Sequence, residues 1–215
     1  MIERCHCLLN AASSCGNLSF NLEEPLKLSV ETEIKINIES PEEFIRRVLS
    51  HGASRLSGRN LEENILFDFP DDSLKLSRCV LRVRFVAGRG VLTYKGAPQP
   101  DAVFKSREEL ETGVESPETA VEILGRLGMR QGFIYQKYRQ EFALDGVHVA
   151  VDETPIGDYA ELEGTEDEIL NLAGKLGVAE SRFIRKSYHA LYLDYCNERE
   201  IMPQSMIFRT DPDIS

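Results

Sequence analysis

The sequence predicts an α+β protein in which an antiparallel β-sheet curls into a barrel and amphipathic helices pack on its outside. Three observations predict it. At least seven segments alternate charged and apolar residues with a period of two, three capped helices carry apolar stripes, and the charged strand faces hold both signs in pairs. Residues 1–26 read as a poorly ordered leader, 27–196 as the folded domain and 197–215 as a polar tail containing Pro203 and Pro212.

The first strand is clear in Val30-Glu31-Thr32-Glu33-Ile34-Lys35-Ile36-Asn37-Ile38. Glu31, Glu33, Lys35 and Asn37 share one face, and the threonine and isoleucines share the other. Ser40-Pro41-Glu42-Glu43 supplies a Ser cap, a proline at the first helical position and the acid of a capping box, opening a helix that stops at Gly52 with Phe44, Val48 and Leu49 as its stripe. Leu81 to Phe85 points Arg82 and Arg84 one way, Val91 to Lys95 offers Thr93 and Lys95, and Ser106 to Glu111 aligns Arg107, Glu109 and Glu111. Ser116-Pro117-Glu118 begins a second helix ending near Gly128, with Val121, Ile123, Leu124 and Leu127 as its apolar residues. Tyr135 to Phe142 aligns Lys137, Arg139 and Glu141; Val147 to Asp152 sets Asp152 opposite the valines; Tyr159 to Glu163 aligns Glu161 and Glu163. Thr165 with Glu168 caps a third helix ending near Gly177, its stripe Ile169, Leu170, Leu172 and Leu176.

An antiparallel sheet with one wet face accounts for period-two charge in general. On such a face, however, the charges are arbitrary, whereas here arginines pair with arginines and acids with acids two residues apart. The apolar face is the one the helices can cover, so closure makes the charged face the lumen. A lumen lined by both signs is costly unless a ligand and metals complete it. The pattern points to a polar tunnel for a highly charged, metal-bound anion.

Composition limits the alternatives. With 36 Asp and Glu against 25 Lys and Arg the formal charge is −11, which argues against a general basic surface for nucleic acid or an anionic membrane. No apolar run has the length of a membrane helix. Five cysteines, three of them in the first fifteen residues, read as reduced thiols of a cytoplasmic protein. Cys5-His6-Cys7 lacks a distant second pair of ligands and is assigned no metal.

Glu31-x-Glu33-x-Lys35, followed in order by Leu81-Arg-Val-Arg84, Thr93-Tyr-Lys-Gly96, Arg107-Glu-Glu-Leu-Glu111, Lys137-Tyr-Arg139, Glu161-Leu-Glu163 and Lys186-Ser-Tyr188, resembles the CYTH family, the triphosphate tunnel metalloenzymes. The resemblance spans about residues 28 to 196. It implies a closed eight-stranded antiparallel barrel, with a triphosphate-containing small molecule and Mg²⁺ or Mn²⁺ inside. The metal candidates are Glu31, Glu33, Glu161 and Glu163, with Asp152 beside them, because carboxylate oxygens suit these hard cations. Arg82, Arg84 and Arg139 suit phosphate oxygens through their planar forks, and Lys35, Lys95, Lys137 and Lys186 add point charges.

A lone Arg or Glu on a strand is usually a surface ion pair; the joint arrangement of Glu31, Glu33, Lys35, Arg82 and Arg84 is what reverses that weighting. The histidines His51, His148 and His189 and the tyrosines 135, 138, 188, 192 and 195 read as packing or surface residues. The activities implied are, in order, hydrolysis of a triphosphate, with Glu31, Glu33 and Lys35 as catalytic residues and either a second metal or a base such as Lys35 with a lowered pKa orienting the attacking water; an adenylyl cyclase making cyclic AMP and pyrophosphate; and a non-catalytic polyphosphate-binding module. Leu66, where some family members carry an aromatic residue, argues against a thiamine-specific role. No nucleic-acid or membrane partner is expected, and a homodimer is compatible with the sequence.

Overall fold

A computed structural model describes residues 29–98 and 104–209. The expected leader and the cysteines at 5, 7 and 15 lie outside the described residues. Eight strands run in chain order as β1 Ser29–Ile38, β2 Ser54–Asp68, β3 Val80–Val86, β4 Arg89–Lys95, β5 Lys105–Val114, β6 Arg130–Leu144, β7 Val147–Thr154 and β8 Gly157–Glu163. The helices are α1 Pro41–Ser50, the single turn α2 Ser73–Leu76, α3 Pro117–Arg126, α4 Glu166–Lys175 and α5 Tyr188–Glu198. The sheet closes in the order β1-β5-β4-β3-β2-β6-β7-β8, antiparallel throughout.

The caps do what their residue types allow. Ser40 and Ser116 accept the backbone N–H of Glu43 and Thr119, and Thr165 with Glu168 makes the reciprocal pair of a full capping box. At α1 only the first half of the box is made: the Ser40 hydroxyl accepts the Glu43 N–H and donates its own proton to the Glu42 carboxylate. The helices cover the outer wall in patches. Ile34, Ile36, Phe142, Val149 and Leu162 of the barrel pack with Phe44 and Val48 of α1 and Ile169, Leu172 and Leu176 of α4. Each such side chain contributes about 1.5–3 kcal/mol by leaving water. A second patch joins Ile65, Phe67 and Val83 to Val121 and Leu124 of α3, and a third joins Tyr135 and Tyr159 to Tyr188, Tyr192 and Cys196 of α5.

Three features depart from the sequence reading. In α1 the stripe is Phe44, Ile45 and Val48, while Leu49 is exposed; in α3, Ile123 and Leu127 are exposed because only one flank of that helix meets the wall. Strand β2 was not legible as a strand, since an extra residue between Arg55 and Ser57 and another between Ser57 and Asn60 break its alternation; at the third shift, Ile65/Phe67, the extra residue lies in β6. Part of the expected tail is docked: Met206 is 1% exposed and bridges Tyr135 of β6, with its N–H on the Ile134 carbonyl and its carbonyl on the Gln136 N–H. Among the described residues Cys79 and Cys196 are free thiols, and no helix is long and apolar enough to cross a membrane.

Candidate functional site: a charged lumen

The pleat sends residues two apart along each strand into the lumen, and the register decides which of them meet. Across β1 and β8, Lys35 lies opposite Glu161 and Glu33 opposite Glu163. Arg139 faces Asp152 across β6 and β7, Lys137 faces Glu62 across β6 and β2, Thr93 faces Glu111 and Lys95 faces Glu109 across β4 and β5. A cavity of about 570 Å³ results, lined by the cations Lys35, Arg82, Arg84, Lys95, Arg107, Lys137 and Arg139 and by Glu33, Glu109, Glu111, Glu141, Glu161 and Glu163. Leu66, Val80, Tyr135, His148, Ser187, Tyr188 and His189 complete it. Glu31 is described only through its backbone, which pairs with Arg107 of β5; its side chain lies outside the described part.

The buried charges form a continuous web. Lys35 Nζ lies 3.1 Å from Glu33 Oε1 and 3.0 Å from Glu161 Oε1. Arg139 donates Nε to Asp152 Oδ1 at 2.7 Å, donates Nη2 to Oδ2 at 2.6 Å, and also bonds Glu161. Lys137 Nζ sits 3.0 Å from Asp152 Oδ2 and 3.6 Å from Glu62 Oε2, and Arg84 reaches Glu62 at 3.2 Å and Asn64 Oδ1 at 3.0 Å. Lys95 meets Glu109 at 2.8 Å, and Arg82 donates to Thr93 Oγ1 at 3.1 Å.

Burial disfavours every one of these charges, so each persists only where its partners outweigh the lost water. For Lys35 burial pulls the pKa down, but the Glu161 and Glu33 carboxylates together raise it above the ordinary lysine value. Lys35 is therefore a fixed ammonium, and the expected base of lowered pKa is corrected: its two acid neighbours hold the proton on. Glu161 is driven well below the usual carboxylate range, since Arg139 and Lys35 overcome its burial. Arg84 goes the other way. Burial and the adjacent Arg82 lower its pKa despite Glu62, so its charge is under-compensated. Two further donors, the Nε–H groups of Arg82 and Arg107, are buried without a hydrogen-bond acceptor among the described residues. Unmet donors on Arg82 and Arg107 and an under-compensated Arg84 are features that suit an anion, although Glu62 Oε2 in the same web is itself buried without a hydrogen-bond donor among the described residues.

The donor set also fits a hard divalent cation. Glu33, Glu161 and Glu163 offer oxygen atoms only, from neighbouring positions on β1 and β8, which suits Mg²⁺ or Mn²⁺ sharing its coordination with phosphate oxygens. Among the described residues no three such side chains are already drawn into a cage, because the Lys35 ammonium stands between Glu33 and Glu161.

Two expected site residues stand apart from the cavity wall. Asp152 is fully buried behind it, its oxygens taken by Lys137, Arg139 and the Tyr188 hydroxyl. Lys186 is exposed and paired with Asp194 at 2.5 Å, outside the lining. Conversely, Tyr188 and Tyr135, read from sequence as packing residues, line the cavity. So does His148, which meets Glu141 at 3.2 Å. Membership of the same period-two face as Asp152 was the signal available for His148; for Tyr188 the signal was its place in Lys186-Ser-Tyr188, which was read for its lysine alone.

Comparison with known proteins agrees with this architecture. A 170-residue stretch is 26% identical to a Methanocaldococcus jannaschii protein named "Putative adenylate cyclase MJ0240", covering 74% of this chain and 96% of that one. The structure of PH1012 from Pyrococcus horikoshii superposes with a TM-score of 0.64 at 27% identity, over 74% of this chain and 96% of that one. HpAC1 from Hippeastrum, described with a dominant triphosphatase activity, shares the fold at TM-score 0.57 and 17% identity, over 77% of this chain and 95% of its own. The CYTH domain profile matches residues 29–188, which hold the whole barrel and its lining strands, so this chain belongs to the CYTH family.

Proposed function

We propose that the protein is a metal-dependent triphosphatase, hydrolysing a phosphoanhydride bond of a triphosphate compound bound in the barrel. The observation that carries this reading is the lumen itself: seven cations, with unmet donors on Arg82 and Arg107, share one cavity with six glutamates. Arg82, Arg84 and Arg139 suit the grip on phosphate oxygens, and Lys35, Lys95 and Lys137 spread positive charge along the chain of phosphates. Glu33, Glu161 and Glu163, with Glu31 as the fourth candidate, would hold Mg²⁺ or Mn²⁺, which when bound neutralises phosphate charge and lowers the pKa of water. Water adds to the terminal phosphorus, the bond to the bridging oxygen breaks, and orthophosphate leaves.

Adenylyl cyclisation is the second reading, favoured by the name of the M. jannaschii relative and by an apolar stretch of wall at Leu66, Val80 and Tyr135. Cyclisation requires the nucleoside to be held so that its ribose hydroxyl is in line.

Incubation with Mg²⁺ or Mn²⁺ and tripolyphosphate, ATP or thiamine triphosphate, followed by resolution of products, decides between them. Orthophosphate release is expected. Cyclic AMP and pyrophosphate from ATP would overturn the hydrolase, and tight tripolyphosphate binding without turnover would leave a binding module.

A further inference from the structure

Helix α5 is anchored at both ends to places where the barrel wall runs out of partners. β1 pairs with β5 only as far as Glu33, and at Lys35 the edge is taken by Ile184, with N–H to carbonyl bonds of 3.0 and 2.8 Å in the two directions. β6 pairs with β7 only from Tyr138 onward, and at Tyr135 its edge is taken by Met206. Between these two anchors Tyr192 of α5 holds the strap that follows, accepting the Gln204 N–H at 3.2 Å and donating to the Ser205 carbonyl at 3.3 Å. One turn earlier Tyr188 enters the barrel. Its hydroxyl donates to Asp152 Oδ2 at 2.6 Å, and the Lys35 and Lys137 ammonium groups lie 5.3 and 5.1 Å from its ring centroid.

Asp152 thus receives four donors on two oxygens: Nζ of Lys137, Nε and Nη2 of Arg139, and the phenol of Tyr188. It is fully buried and has little acceptor capacity left to offer a metal. What it does hold is the relative placement of two lumen cations, and the Tyr188 hydroxyl, bonded to the same Oδ2 that Lys137 and Nη2 of Arg139 share, ties that carboxylate to α5 as well. We propose that Asp152 and Tyr188 are positioning residues: Tyr188, brought in by α5 and its strap, fixes Asp152, and Asp152 sets Lys137 and Arg139 in the geometry that receives the triphosphate. This inference rests on the triphosphate reading of the cavity.

The test measures tripolyphosphate binding to the full chain by calorimetry in the absence of divalent metal, and Mn²⁺ binding by electron paramagnetic resonance. The variants are Tyr188→Phe, Asp152→Asn and, as the metal-site reference, Glu163→Gln. Tyr188→Phe keeps the ring and removes only the hydroxyl. It is expected to weaken tripolyphosphate binding about tenfold, and Asp152→Asn about tenfold to a hundredfold, the scale of a hydrogen bond to a charged group. Tyr188→Phe should leave the Mn²⁺ dissociation constant unchanged, and Asp152→Asn, which touches Glu161 only through Arg139, should raise it far less than Glu163→Gln does. A Tyr188→Phe protein that binds tripolyphosphate like wild type overturns the proposal. So does an Asp152→Asn protein whose Mn²⁺ affinity falls as that of Glu163→Gln does, since Asp152 would then be a ligand. If Asp152→Asn does not fold, Tyr188→Phe alone decides. If the wild type binds no tripolyphosphate, it is the triphosphate reading that fails.

Discussion

Replacing Lys35 by Met tests whether this ammonium serves as a stand-in for a divalent cation between Glu33 and Glu161. The contacts are 3.1 and 3.0 Å, and all three side chains are largely shielded from water. At an effective dielectric constant of about 20, each contact has a Coulomb energy of about 5 kcal/mol, set against a desolvation cost of several kcal/mol per ion. Removing one partner of such a buried set costs about 3–5 kcal/mol, because buried carboxylates then lose a cation that offset their desolvation. Glu161 keeps Arg139, which places the loss toward the lower end. For a domain of this size each kcal/mol moves Tm by about 2–4 °C, so a fall of about 6–12 °C is expected from a loss near 3 kcal/mol. Mg²⁺ should then restore more stability to Lys35→Met than it adds to wild type, because a cation entering the variant need not displace or share with an ammonium. Differential scanning calorimetry at neutral pH, with and without millimolar Mg²⁺, reads both quantities. A fall of less than 2 °C, or equal Mg²⁺ shifts in the two proteins, would refute the reasoning.

Arg84→Met removes the lumen cation whose charge burial and Arg82 already disfavour. It should shift Tm by only a few degrees yet weaken tripolyphosphate binding by about tenfold or more in calorimetry; a large stability loss with intact binding would contradict this. The Glu141–His148 pair predicts a stability term confined in pH. The hydrogen bond from His148 lowers the Glu141 pKa to about 2, and the bond to Glu141 raises that of His148. The pair therefore stabilises most between the unfolded values of about 4.3 and 6.5, fading as pH falls toward 2 and as it rises through the elevated histidine value. The urea-midpoint gap between wild type and His148→Ala should follow that window, and a gap independent of pH would count against it. Gly146, at φ +82° in the β6–β7 turn with Glu168 Oε1 only 2.5 Å from where a Cβ would sit, should lose about 1–2 kcal/mol on change to Ala; an unchanged urea midpoint would show that the turn relaxes.

Seven strands and the ends of α1, α3 and α4 were legible because local chemistry sets them: alternation fixes a strand's two faces, and Ser or Thr caps fix where a helix begins. The lumen residues of β1, β3, β4, β6 and β8 followed from the same alternation. Three things did not. β2 hides behind its bulges, since each of the two extra residues it carries between Arg55 and Asn60 reverses the phase of its alternation. Asp152 sits on the inward face as expected, but whether an inward acid meets a metal or a ring of donors depends on its depth, and Tyr188 reaches it from 36 positions away in sequence. The protonation of Lys35 likewise depends on Glu161, a residue on another strand, and sequence gives no distance between them.

The strand order has a consequence for how the protein is made. β1 emerges first among the described strands, yet neither of its hydrogen-bonded neighbours, β5 and β8, is adjacent in the chain. During synthesis it waits with both edges unpaired and with Ile34 and Ile36 lacking cover until most of the barrel has left the ribosome. Closure through pairings this distant makes folding slow relative to a helical protein of equal length. Charged side chains such as Glu33 and Lys35 disfavour edge-to-edge pairing of an uncovered strand, so the residues that line the finished lumen opposite Glu163 and Glu161 also suit β1 to the interval before its partners exist.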